Sequence, residues 1–346
     1  MKLSEIGEYE LLLQNVLPLL DQSDDNQYND CTSLNLPNGE KLLWTIDPTP
    51  TTVASMVGYT DPYITGWYTG LISLSDIAAD GGKPMGMLVS VEIDEDEEVA
   101  FYDRFNQGLI DICKKYDAKL MGGNLKTSSV FKATGTAIGM TKKQLSRMGV
   151  ETDDSIYVLG RTGYFWAAVL ESIKGRKLNN ELEKALCYPE PKVRVGQLLV
   201  SLDFRINCMD SSDGVLACAK QLARINKKDI FIYEDENIWN LDDQIRNIYL
   251  EEQIDINNAC YGWGEWQLVC SVGKKNSEDF EEILKKEDIV FYKIGYVIEG
   301  SGKVLSDVSG LSLNDNILSE RFRGDKEKFA SVESMVNTFL KQSLFV

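Results

Sequence analysis

The 346-residue chain contains no histidine. That absence excludes Ser-His-Asp and Cys-His catalysis, His-ligated zinc or iron, and a histidine general base. A Cys-x-x-Cys pair is also missing. The seven cysteines, Cys31, Cys113, Cys187, Cys208, Cys218, Cys260 and Cys270, are odd in number and scattered, which reads as reduced, buried thiols rather than a disulfide framework or a zinc site. Long apolar runs are lacking. The stretch Met87 to Val91 is far too short to span a bilayer, and Met1-Lys2-Leu3-Ser4-Glu5 does not open like a signal peptide, so the expected location is the cytoplasm. Basic residues are scarce as well: 36 Lys and Arg against 54 Asp and Glu leave a net charge of -18, which argues against nucleic acid or an anionic membrane as partner. Chemistry is left to carboxylates, hydroxyls, backbone amides, Lys, Arg and metal ions. An acidic protein that handles phosphates must bring cations, which draws attention to the carboxylates.

What is present describes an ordered globular protein: 43% hydrophobic residues and no low-complexity tract supply enough apolar surface for two packed domains. Ile64, Trp67, Tyr68, Leu71 and Ile72 follow helical spacing toward Gly81-Gly82. Gly86 to Ile93 reads as a strand, followed by a helix with Phe101, Phe105, Leu109, Ile112 and Cys113 on its apolar face. Strands at Lys119 to Met121 and Lys132 to Met140 come next. The order suggests an α+β fold rather than a doubly wound sheet. A second cycle begins with a strand at Ser155 to Gly160 and a helix from Tyr164. It continues through a helical stretch to Leu202, a strand near Arg205 to Met209 and a helix opening at Asp213-Gly214. Strands near Ile230 to Tyr233, Trp266 to Val272 and Val290 to Ile298 complete it. Polar, aperiodic sequence around 141 to 153 places a boundary there, giving domains 1–148 and 149–346. Phe329, Val332, Met335, Val336, Phe339 and Leu340 read as a terminal amphipathic helix.

Five short motifs stand at the ends of strand-like or helical runs: Asn29-Asp30-Cys31, Thr45-Ile46-Asp47, Leu74-Ser75-Asp76, Gly122-Gly123-Asn124 and Asp210-Ser211-Ser212-Asp213-Gly214. A carboxylate at the rim of a sheet can hold a hard cation, and singly each Asp can equally cap a helix or close a turn.

Taken in order, the motifs resemble those of the thiamine-monophosphate kinase family, in the wider group that contains aminoimidazole ribonucleotide synthetase, selenophosphate synthetase and a hydrogenase maturation factor. The resemblance runs from about residue 5 to residue 305. Gly7-Glu8-Tyr9, Leu74-Ser75-Asp76-Ile77-Ala78-Ala79 with Lys83-Pro84, and Arg147-Met148-Gly149 extend the series. It implies a two-domain fold whose N-terminal halves pair across a homodimer into a shared barrel, with magnesium and ATP as cofactors. It further implies that Asp30, Thr45, Asp47, Asp76, Asp210 and Asp213 bind metal, with Asp47 and Asp210 central to catalysis. Gly122, Gly123, Asn124, Arg147 and Ser212 are then the nucleotide contacts. Transfer to an acceptor phosphate needs no general base, in keeping with the missing histidine.

The chain departs from the family's pattern at Ile46, where the family has Thr, and at Asn124, where it usually has Asp. On the substrate side Ala54 replaces a His. Gly262-Trp263-Gly264-Glu265-Trp266-Gln267-Leu268 replaces Gly-Gly-Glu-Asp-Tyr-Glu-Leu, which puts Gly264 in place of a Glu. The C-terminal Gly-Trp/Tyr-Asp-His-Phe motif does not occur between Gly310 and Val346. Trp263, Gly264 and Glu265 are therefore candidate substrate residues, with Trp263 and Trp266 either a new aromatic wall or ordinary core. The expected function is an ATP- and magnesium-dependent phosphotransferase acting on a different small acceptor. An ATP-dependent synthetase, cyclase or dehydratase, and a non-catalytic nucleotide sensor, are the alternatives.

Overall fold

A computed structural model describes residues 2–20 and 28–346 of the chain. It contains two compact units, one built from Asp30–Leu145 and Ala168–Asp203, the other from Met1–Asn29, Ser146–Ala167 and Phe204–Val346. The expected cut between residues 148 and 149 lies three residues from one crossing of the chain at 145/146. The chain crosses at three other places as well, and the excursion 168–203 belongs with the first unit because its helix Val193–Ser201 packs on the helix Pro62–Ala79. A Cβ on Gly196 would lie 1.9 Å from the Ala78 carbonyl oxygen, a backbone approach that only glycine permits.

The first unit carries a five-stranded sheet of β1 (Thr32–Asn35), β2 (Lys41–Pro48), β3 (Lys83–Ile93), β4 (Lys119–Thr127) and β5 (Lys132–Thr141), in the order β1-β2-β5-β3-β4. Pairs are antiparallel except β3–β4. One face is apolar and covered: Leu43, Met87, Val89, Val91, Ala133 and Ala137 are all buried. The helix Pro62–Ala79 lies on this face, starting at Asp61, whose side chain accepts from the Tyr63 amide ahead of Pro62. Gly135 and Gly139 of β5 make room for it, and Gly66 and Gly108 let the helix Val99–Lys115 pack backbone to backbone against it.

The second unit carries a six-stranded sheet of β6 (Ser155–Leu159), β7 (Ile206–Asp210), β8 (Lys228–Ile232), β9 (Leu268–Val272), β10 (Phe291–Glu299) and β11 (Val304–Ser306), in the order β11-β8-β10-β6-β9-β7. Only β8–β11 is parallel. β6, β7 and β9 are buried along their whole length. Both units are of α+β type, in line with the sequence. No helix among the described residues is long and apolar enough to cross a membrane.

Candidate functional site

Strand alternation on β2 turns Leu43, Thr45 and Asp47 toward the helix-covered face and Trp44 and Ile46 away from it. The last turn of the helix Pro62–Ala79 brings Asp76 to the same place. Thr45 Oγ1 donates to Asp76 Oδ2 in a short hydrogen bond and lies 3.2 Å from Asp47 Oδ2. Carboxylate oxygens of Asp30 and Asp76 lie within 4.8 Å of each other. Burial pushes the Asp47 carboxyl above its usual range, and the nearby Asp30 charge adds to this, while hydrogen bonds with Asp76 and Thr45 oppose it. Oxygen donors of this kind, with charge that burial disfavours, suit a hard divalent cation.

Ile46 lies apart from this group. It is 69% exposed on the opposite face of the strand, so a Thr there would not point toward Asp47 and Asp76 within this chain.

Gly122, Gly123 and Asn124 also sit differently from the sequence reading. They lie inside the exposed edge strand β4, not in a turn after it. The register aligns Asn124 with Ser90, Thr134 and Pro48, three strands from β2 and about 14 Å across the sheet. Its side chain shares the outer face with Ile46. Within one chain, therefore, Asn124 does not join Thr45, Asp47 and Asp76. Gly123 is required by packing, since an added Cβ would lie 1.8 Å from the Val89 carbonyl oxygen.

In the second unit, Asp210 ends the edge strand β7 and is buried. Its Oδ1 accepts from Ser212 Oγ at 3.0 Å. Ser211 locks the following turn to Gln267 through its amide and hydroxyl, and Gly214, at φ +97°, starts the helix Val215–Asn226. Asp213 receives long hydrogen bonds from Tyr9 Oη (3.5 Å) and Ser319 Oγ (3.4 Å). Burial raises its carboxyl above the usual range, and Arg321 and Arg147 pull it down. Arg147 is oriented by its neighbours: Nη1 donates to Gln221 Oε1 at 2.8 Å, and its main chain bonds Asn29 and Asn226. Tyr9, Ser319 and Arg321 were not among the expected site residues. Only Tyr9 carried a signal, as a hydroxyl-bearing residue where the resembled motif has Phe.

The candidate substrate residues all have partners within their own unit. Glu265 is buried, and its Oε1 accepts from the Tyr164 and Phe165 amides at 2.6 and 2.7 Å, capping the helix Tyr164–Ile173. Gly264, at φ +113°, lies against the Phe165 ring. Trp263 packs on Trp166, Phe165, Phe329 and Phe339, with ring centroids 5.0 to 6.0 Å away. Phe339 belongs to the C-terminal helix Val332–Phe339, and the residues after it are tied down by Asn258 to the Gln342 carbonyl and Asn314 to the Ser343 carbonyl. Trp266 is buried as well. Phe339 thus packs against Trp263, which stays half-buried and lines a small cavity with Asp213, Tyr261 and Leu344. In the first unit Ala54 is fully buried within the short helix Val53–Met56.

The sequence of residues 28–141 matches the family model described as AIR synthase related protein, N-terminal domain. Thiamine-monophosphate kinase of Aquifex aeolicus (strain VF5) is 27% identical over 308 residues, covering 87% of this chain and 95% of that protein. The enzyme of the same name from Methanospirillum hungatei is 26% identical, covering 84% and 92%. Among solved structures, thiamine monophosphate kinase from Aquifex aeolicus superposes with a TM-score of 0.71 at 25% identity, over 89% of this chain and 98% of that one. A structure of AaThiL complexed with AMPPCP and TMP gives 0.78 at 24% identity, over 93% and 99%. The HypE–HypF complex gives 0.66 at 19% identity over 87% and 97%, and shows the shared fold alone. With the ordered motifs and nearly the full length of these proteins' fold in common, the chain is similar to the thiamine-monophosphate kinases and carries the AIR synthase related fold.

Proposed function

We propose that this chain, an ATP-dependent kinase of the thiamine-monophosphate kinase type, phosphorylates a small acceptor other than thiamine monophosphate. The observation that carries the reading is a contrast. The Thr45, Asp47 and Asp76 oxygens remain gathered at one point, whereas Glu265, Trp263 and Ala54 are committed to a helix cap, an aromatic core and a closed packing site. The relatives named above, one of them complexed with AMPPCP and TMP, support a nucleotide-using kinase.

In this reading Asp30, Thr45, Asp47 and Asp76 of the first unit, and Asp210 and Asp213 of the second, are the magnesium ligands. Arg147, Ser212, Gly122, Gly123 and Asn124 serve the nucleotide. Magnesium would supply charge neutralisation of the polyphosphate oxygens. An ionised acceptor oxygen bonds to the γ-phosphorus as the bridging bond to the β-phosphate breaks, the electron pair leaving with ADP. No proton has to be removed from such an acceptor, so a chain without histidine needs no base. Asp47 and Asp210 contribute by holding charge and position.

We also propose a homodimer formed through the outer face of the first unit's sheet, where Leu34, Trp44, Ile46 and Leu88 are exposed together. A monomer at micromolar concentration by light scattering contradicts it. The function itself is tested by ATP consumption across candidate phosphorylated acceptors with product detection. ADP accompanied by a phosphorylated acceptor supports the reading, and ATP binding without turnover refutes it.

A further inference from the structure

Asp80 is 1% exposed at the C-terminal end of the helix that carries Asp76. A carboxylate so deeply buried costs free energy unless hydrogen bonds hold it, and those of Asp80 converge on Oδ2. Asp80 Oδ2 accepts from the Cys31 amide at 3.2 Å and from Gln144 Nε2 at 2.7 Å. The same Gln144 nitrogen reaches the Cys31 carbonyl at 3.4 Å, and Gln144 Oε1 accepts from Lys41 Nζ at 3.4 Å. Both main-chain polar groups of Cys31 are therefore held by this pair. The Asp80 main chain closes its own helix by donating to the Asp76 carbonyl at 3.1 Å, and accepts from the amide of Leu145, next to Gln144, at 3.2 Å. Asp30 is the residue before Cys31, and Lys41 begins the strand that bears Thr45 and Asp47.

We propose that Asp80 and Gln144 are positioning residues that clamp the Asp30 loop to the Asp76 end of the helix, setting the spacing of the carboxylates that receive magnesium. The inference rests on the proposed function. Asp30 and Asp76 repel each other at their short separation, and the clamp supplies the fixed backbone that keeps them converged.

The test is calorimetric titration of magnesium alone into the intact protein and its variants, with the magnesium-induced rise in melting temperature as a second readout. Asp80→Ala and Gln144→Ala should each weaken magnesium binding about tenfold or more. Asp80→Asn, whose amide oxygen still accepts from Cys31, should retain most of the affinity. If Asp80→Ala does not fold, Gln144→Ala, at a half-buried position, carries the test. Wild-type binding reproduced by the folded variants overturns this inference alone. Absence of magnesium binding by the wild type overturns the proposed function and this inference together.

Discussion

Replacing Trp263 by Ala distinguishes a ligand wall from a core residue. The indole touches four rings, of which Trp166, Phe165 and Phe339 are buried. Truncating an aromatic packed in this way costs about 3–5 kcal/mol, because the transfer energy and the cavity term add and the surrounding rings relax only in part. For a unit of this size that corresponds to a fall in melting temperature of roughly 6–20 °C. Trp263→Phe is the control. The indole Nε1 is buried with no hydrogen-bond partner among the described residues, so Phe removes an unsatisfied donor while keeping most of the ring. Its cost should be under about 1.5 kcal/mol, as for a swap that nearly conserves volume. Thermal denaturation followed by circular dichroism measures both variants. The packing argument is refuted if Trp263→Ala melts within a degree or two of wild type but weakens acceptor binding, since a ligand wall would show that pattern.

The remaining predictions concern the carboxylates and the closed substrate side. Asp47→Asn and Asp210→Asn should each abolish magnesium-dependent ADP formation while leaving the melting temperature within a few degrees, and near-wild-type turnover at saturating ATP contradicts the ligand assignment. The raised Asp47 carboxyl means that folding disfavours its ionised form, so the magnesium-free protein should lose stability as pH rises from the ordinary carboxylate range through the raised value. Asp213 and Glu8 are raised too and contribute with the same sign, so melting curves for Asp47→Asn should show a reduced slope rather than none. Protons compete with the cation in that window, hence magnesium affinity should weaken as pH falls, and a pH-independent affinity refutes this. Ala54→His should destabilise by about 1–3 kcal/mol through overpacking at a fully buried site, and a stable variant that gains thiamine monophosphate kinase activity contradicts the closed-site reading.

Most of the architecture was legible because periodicity reports which face is covered: the strand ending at Ile93, the strand near Arg205 to Met209 and the helix with Leu71 and Ile72 follow directly from it. Two kinds of feature were not. Chain crossings depend on long-range packing, and nothing in the local sequence of 168–203 shows that Gly196 will meet Ala78. Side-chain allegiance depends on neighbours remote in sequence. Glu265 looks like a substrate carboxylate until the Tyr164 and Phe165 amides are seen to claim it, and Ile46 looks like a lost ligand until strand alternation turns it outward. Asp80 carried only the faint signal of a charge one turn beyond Asp76, closing an otherwise apolar helix end.

The central claim is that the phosphate-handling carboxylates persist while the thiamine-reading side is closed. Its most direct test is the specificity constant for thiamine monophosphate with magnesium-ATP in excess. The account predicts a value well below roughly 10⁴ M⁻¹s⁻¹, the lower end of ordinary enzyme efficiency, alongside measurable magnesium-dependent ATP binding, and a value at or above that level would contradict it.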